Sequence, residues 1–109
     1  MIRQFDPTDP GDLRWVMIVG ILHIQVSVFE AMNLKDKRRV IKSLKDRISN
    51  KYNVSIAEVG YNDSIRTSLL GIAMVGNERR FLDSALSGIV NYVRSFGQLS
   101  LIDYTLEMV

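Results

Sequence analysis

The chain has 109 residues, 47% of them hydrophobic and 24% charged, with a formal net charge of +2, the balance of one ordinary globular domain. It has no cysteine and a single histidine, His23, which excludes disulfides and thiolate metal centres and leaves little for zinc. No apolar run approaches the ~18 residues that span a bilayer, and Arg3, Asp6, Asp9 and Asp12 break up any N-terminal targeting segment, so a cytoplasmic protein without membrane contact is expected.

Residues 1–16 hold both prolines, Pro7 and Pro10, together with Gly11 and three aspartates. They read as a flexible N-terminal arm, with Trp15 placed to pack it against a domain spanning 17–109. From Met17 to Phe29 the run MIVGILHIQVSVF is β-rich. Its alternate positions Ile18, Gly20, Leu22, Ile24, Val26 and Val28 form a core face, and Met17, Val19, Ile21, His23, Gln25 and Ser27 form an outer face that is apolar at one end. Asn33 offers an N-cap, with Asp36 three residues on in a box-like pattern. The spacing predicts a helix from Leu34 to Tyr52 whose buried stripe is Val40, Ile41, Leu44, Ile48 and Tyr52. A second strand is expected over Val54–Val59, a polar hairpin loop over 60–67, and a third strand over Ser68–Val75. The third strand is apolar at nearly every position, which predicts burial on both faces in the middle of the sheet. A second helix follows over 78–96, with Phe81, Leu82, Ala85, Leu86, Ile89, Val90, Val93 and Phe96 as its stripe and Gly97 as its C-cap. Leu101–Met108 alternates Ile102, Tyr104, Leu106 and Met108 against Asp103, Thr105 and Glu107, a strand with one wet face.

The order β-α-β-β-α-β, with right-handed crossovers, predicts an α+β, ferredoxin-like sandwich. Four strands in the order 4-1-3-2 form an antiparallel sheet with both helices on one face.

Charge is distributed unevenly along this pattern. Between Lys35 and Lys51 stand eight of the fourteen Lys and Arg residues against two acids, Asp36 and Asp46, a local charge of +6, while the remainder carries −4. At 100° per residue Lys35, Arg38, Arg39, Lys42 and Lys45 fall within ~120° on the side opposite the apolar stripe. Lys35, Lys37 and Arg38 crowd the first turn, where each cation meets the positive end of the helix dipole at a cost of ~0.3–1 kcal/mol. An anionic ligand accounts for that crowding more readily than its absence does. Lys37 differs from the others: its azimuth falls within the apolar stripe. Either its stem snorkels past the core edge or its ammonium points into a cleft at the end of the sheet. Glu58, late in the second strand, reads either as an edge-strand charge that discourages aggregation or as a salt-bridge or site residue near the sheet end.

Met17-Ile18-Val19-Gly20-Ile21-Leu22, Asn33-Leu34-Lys35-Asp36-Lys37-Arg38-Arg39-Val40 and Ala57-Glu58-Val59-Gly60 closely resemble the bacterial YlxP-like family over residues 17–109, the Leu34–Arg39 segment being the most specific. The resemblance implies a small ferredoxin-like protein without an assigned activity. Its members' genes often lie among those for translation initiation and ribosome maturation, which implies an RNA or ribosome setting. Asn33 stands where the family usually has Ser, Ser64-Ile65-Arg66 lacks an aromatic expected in the hairpin, and residues 1–16 lie outside the resemblance.

The expected function is a non-catalytic binding module. It contacts RNA or a ribosomal particle through phosphates, using Lys35, Lys37, Arg38, Arg39, Lys42 and Lys45. The third strand carries no aromatic, which excludes the base-stacking mode of RNA-recognition motifs. The apolar outer sheet face calls for cover, by a second copy of the chain or by the N-terminal arm. The alternative reading is a dimeric regulatory or scaffold domain that binds a small anion or an acidic protein partner. No phosphate-cradling loop, H-E-x-x-H or nucleophile elbow is present, so no catalytic residue, metal or cofactor is assigned. A phosphate-handling enzyme at the same helix terminus is the remaining, least supported reading.

Overall fold

A computed structural model describes residues 17–109; the expectations for residues 1–16, including the packing role of Trp15, lie outside the described residues. The elements are β1 (Ile18–Ser27), α1 (Leu34–Lys51), β2 (Ser55–Gly60), β3 (Thr67–Gly76), α2 (Arg79–Ser95) and β4 (Ser100–Met108). All pairings are antiparallel and the sheet order is β2-β3-β1-β4, the predicted order read from the other edge. The period-2 pattern of β1 is realised from Gly20 onward: Gly20, Leu22, Ile24, Val26 and Val28 are buried and the residues between them half-buried, while Ile18, at the start of the strand, is half-buried like Val19. Both helices cover that same face, through Ile41, Leu44 and Ile48 of α1 and Leu82, Leu86, Ile89, Val90 and Val93 of α2. No helix among the described residues is long and apolar enough to cross a membrane.

β3 departs from expectation. It is central, between β2 and β1, but only Ser68, Leu70, Ile72 and Met74 are buried, while Leu69, Gly71 and Ala73 are half-buried and Val75 exposed. Its outward residues are apolar although no element of residues 17–109 covers them. α2 begins one residue late and ends one early. Its C-cap is Phe96, in extended backbone, and no glycine among the described residues has positive φ, so Gly97 does not supply the left-handed cap. Phe81 leaves the apolar stripe, 59% exposed, because it stands in the first turn of the helix, beside a groove with Tyr52, Met74 and Val75 at the end of the sheet. β4 carries a bulge where it meets Gln25 and Val26. The bulge takes Ile102 out of phase, so Leu101, Leu106 and Met108 pack on the core while Ile102 is exposed.

α2 can lie close to β1 because Gly20 has no side chain: a Cβ there would overlap Leu86 Cδ1. Leu86 is fully buried and has nowhere to retreat, since interiors are packed near crystal density. Gly20→Ala is therefore expected to destabilise the domain by about 1–3 kcal/mol through overpacking, read as a lower urea midpoint at unchanged slope.

Candidate functional site

The N-terminus of α1 is closed by its own side chains. Asn33 Oδ1 accepts the Asp36 N–H at 2.8 Å, and Asp36 Oδ2 accepts the Met32 N–H at 3.0 Å. The box is thus shifted by one residue, reaching the position before the N-cap instead of the N-cap itself. Asp36 Oδ1 also accepts from Arg39 at 2.8 Å. One carboxylate therefore answers an orphan backbone donor, the helix dipole and a neighbouring cation together.

One turn in, Lys37 continues the stripe Ile41, Leu44 and Ile48 back toward the N-terminus, and its side chain is fully buried. Its Nζ donates to the carbonyl oxygens of Tyr61 (2.8 Å), Thr67 (3.1 Å) and Asn62 (3.4 Å) and pairs with Glu58 Oε2 at 3.1 Å. Glu58 Oε2 in turn accepts from the buried Ser68 Oγ at 2.6 Å. A buried ammonium is tolerated only when paired and fully hydrogen-bonded, and here the β2–β3 hairpin supplies every acceptor, two from the turn and one from each flanking strand. The turn is shaped to do so. Tyr61 has φ 58°, the left-handed region that costs a non-glycine residue about 1 kcal/mol or more, and its carbonyl accepts from both Lys37 Nζ and Ser64 N–H. A register shift between Glu58 and Gly60 breaks the β2–β3 ladder at the same place. Two further bonds tie this turn to the β1–α1 loop: Val28 N–H donates to the Arg66 carbonyl at 2.7 Å, and Arg66 Nε donates to the Ala31 carbonyl at 2.9 Å.

The six cations singled out in the sequence do not form one set. Lys37 is removed from the surface altogether, so its ammonium cannot meet an external phosphate while the turn is closed. Of the two positions its azimuth allowed, it occupies the cleft at the sheet end, with Glu58 as its salt-bridge partner. Arg39 is exposed but held by Asp36, and it lies on the side of α1 that borders Glu30 and Gln98. Lys35 is exposed at the first turn. Arg38, Lys42 and Lys45, spaced i, i+4, i+7, share one groove of about 370 Å³ beside β2, with Ile41, Asp46 and Glu58. Lys42 donates to Asp46 at 2.8 Å. That hydrogen bond, and after it the charge of Asp46, raises its pKa above the ordinary lysine range. Among the described residues, Lys35, Arg38 and Lys45 make no ion pair. Of the other two cations of the basic segment, Arg47 lies over the Phe96 ring at 5.4 Å and Lys51 over Tyr52 and Tyr92 at 5.7 and 5.9 Å, both satisfied by aromatic faces.

The groove has an acid on its floor whose charge is already met. Glu58 is 16% exposed on its side chain, and Lys37 neutralises it from behind. What an incoming anion meets is three cations and one further acid, Asp46, already bonded to Lys42. His23 lies elsewhere, on the open sheet face, opposite Thr105 on β4 and Gly71 on β3; Asp103 and Glu107 are diagonal to it.

Residues 19–106 match the family described as "Protein of unknown function (DUF503)". Over 82 residues the chain is 33% identical to the uncharacterized protein YlxP of Bacillus subtilis (strain 168), covering 75% of this chain and 89% of that protein. The chain belongs to this YlxP-like family. Among solved structures it is similar to the de novo designed protein Foldit4, with a TM-score of 0.50 at 9% identity, over 85% of this chain and 96% of the designed one, a likeness of fold alone.

Lys37→Met is expected to destabilise the domain by about 3 kcal/mol, because Glu58 and the turn carbonyls lose their shared partner. Glu58→Gln in the Lys37→Met background should recover part of that loss, so the two substitutions are non-additive in a urea double-mutant cycle. Additive losses would show that the pair is not coupled.

Proposed function

We propose that the protein is a non-catalytic, cytoplasmic RNA-binding module that docks on structured RNA, such as a ribosomal particle, through phosphate contacts on α1. The observation that carries this reading is the groove of Arg38, Lys42 and Lys45 beside β2, with Lys35 and Arg39 exposed along the same helix. Side chains at i, i+4 and i+7 follow one line along a helix, the arrangement a phosphodiester backbone requires. Lys37 serves this surface without touching the ligand: it cancels the charge of Glu58 and fixes the β2 turn against α1. Base readout is not part of the proposal. The groove offers charged heads and no aromatic platform, which favours contacts that position over contacts that specify sequence. The open sheet face carries no Lys or Arg and takes no share in phosphate contact.

The test is filter binding of a structured RNA, with co-sedimentation of purified ribosomal subunits, across a salt series. Three phosphate contacts give a slope of about −2.7 in log K against log salt, or roughly 40-fold weaker binding between ~50 and ~200 mM. Changing Arg38, Lys42 and Lys45 together to Glu should abolish binding, while Lys51→Glu, whose ammonium lies over aromatic rings, should leave most of it. Arg38→Gln alone should lower the slope by about 1. Absence of RNA affinity at low salt overturns the reading and favours an acidic protein partner for the same groove.

A further inference from the structure

Among the described residues no element covers the outer face of the sheet, and its pattern is self-complementary. The pairing registers define rows across β2, β3, β1 and β4: Ser55–Ala73–Ile21–Glu107 and Ala57–Gly71–His23–Thr105. Next to these stand Val75 beside Val19, and Leu69 beside Gln25 and Asp103. Val59 leans over Gly71 and is 54% exposed, and Val75 is 59% exposed. The middle of the face is therefore largely apolar, with His23 and Gln25 as its polar side chains and no acid, and among the described residues its acids, Asp103 and Glu107, lie on the β4 edge. The opposite edge, β2, is neutral on this face and is backed by the cations of α1.

We infer that this face binds a second copy of the chain, sheet against sheet, about a two-fold axis parallel to the strands. A two-fold contact must match a patch to itself. Rotation about that axis places β1 over the partner's β3 and β4 over its β2, at the same height along the strands. Ile21 then sets its bulk against the small Ala73 of the other copy, and His23 meets the surface of Gly71 and Val59. Glu107 comes over Ser55 and Asp103 over Gly60. The acidic edge of each copy thus lies over the edge that the other copy backs with Arg38, Lys42 and Lys45, so the two charge dipoles oppose. The competing arrangement, with the axis across the strands, stacks β4 on β4 and sets Asp103 and Glu107 against their own kind, which costs stability.

Size agrees with a modest, reversible association. Four strands at ~4.8 Å spacing and about eight residues at ~3.4 Å rise give roughly 500 Å² of projected face. Corrugation by side chains brings that toward the ~600–800 Å² per partner of small specific interfaces. Micromolar self-association is the expected result. The inference is independent of the phosphate reading, because the two surfaces lie on opposite layers of the sandwich.

The experiment is sedimentation velocity on the full chain from ~1 to ~100 μM, with dimer expected to appear across that range. Ala73→Glu, on the open face and away from the core, should shift the protein to monomer while leaving unchanged its RNA affinity per chain and its thermal transition at concentrations too low for dimer, where mass action adds no stability. The chain has no cysteine, so introduced thiols report position cleanly. Ser55→Cys combined with Glu107→Cys in one chain should give covalent dimers with a short bis-maleimide, whereas either substitution alone should give few. Monomer at every concentration overturns the inference. Dimer cross-linked efficiently by the Glu107→Cys single variant, or unaffected by Ala73→Glu, assigns the contact to another axis or surface and overturns it equally.

Discussion

The buried ammonium of Lys37 is the constraint on which this end of the molecule depends. A charge taken out of water must find enough oxygen acceptors within hydrogen-bond reach, or it destabilises the fold by several kcal/mol. No helix can supply those acceptors to its own first turn, since its N-terminus presents N–H groups. They come instead from the β2–β3 hairpin, where the carbonyls of Tyr61, Asn62 and Thr67 and the carboxylate of Glu58 converge on one nitrogen. The demand propagates outward: it explains why Tyr61 accepts a left-handed conformation and why the ladder slips at Glu58. With Arg66 bonded to the Ala31 carbonyl, two loops remote in sequence become one rigid rim around the start of α1. A hydrophobic residue at position 37 would pack as well but would say nothing about where the turn must sit. The polar shell fixes one geometry, which is the service buried polar groups render when fully satisfied.

The same shell changes how the neighbouring surface behaves electrically. Glu58 borders the groove that Arg38, Lys42 and Lys45 line, and an uncompensated carboxylate there would repel any anion the cations attract. Lys37 cancels it from inside the protein, at a separation and in a medium where the attraction is little screened. Asp36 and Asp46 act differently. They hold Arg39 and Lys42 by exposed contacts that contribute little to stability and compete with an incoming anion only weakly. The eight cations of the segment therefore divide by role: one buried and structural, two spread over aromatic rings, two loosely tethered, and three without an ionic partner among the described residues.

Much of this was legible in the sequence, and the losses have physical reasons. Alternation in β1 and the 3.6 period in the helices fix which faces are buried, and the apolar content of β1 and β3 places them in the centre of the sheet. The odd azimuth of Lys37 pointed inward, because side-chain direction on a helix follows from spacing alone, but helix spacing did not name Glu58 as its partner. Its other partners could not be read, being backbone carbonyls aimed by a turn whose dihedrals no residue type announces. β3 misled because an apolar strand can be buried on two faces or offered to a partner on one, and composition is the same in both cases. Phe81 misled for a similar reason: period assigns an azimuth but not whether the first turn of a helix still lies over the sheet. Gly97 fits a left-handed cap that the backbone does not use, since Phe96 ends the helix in extended conformation. The cation–π placements of Arg47 and Lys51 depend on the crossing of the two helices, which a single-element pattern does not contain.

The distribution of side chains over the two layers decides how such a sandwich can meet a nucleic acid. Where this architecture reads single strands on its sheet, the central strands carry aromatics on which bases stack. Here the corresponding positions are Leu69, Gly71, Ala73 and Val75 on β3 and Val19, Ile21 and His23 on β1, which offer a base little stacking surface and a phosphate no charge. Cations have been gathered instead on the helix layer, at the edge where β2 leaves α1 uncovered. An element with charged heads along one line and no platform beside it suits a continuous backbone held by charge, and it leaves the sheet free to meet an apolar surface. The two layers therefore answer to different chemistry, Coulombic and salt-dependent on one side, apolar and shape-dependent on the other, and the Lys37 shell, at the rim where they meet, keeps their relative placement fixed.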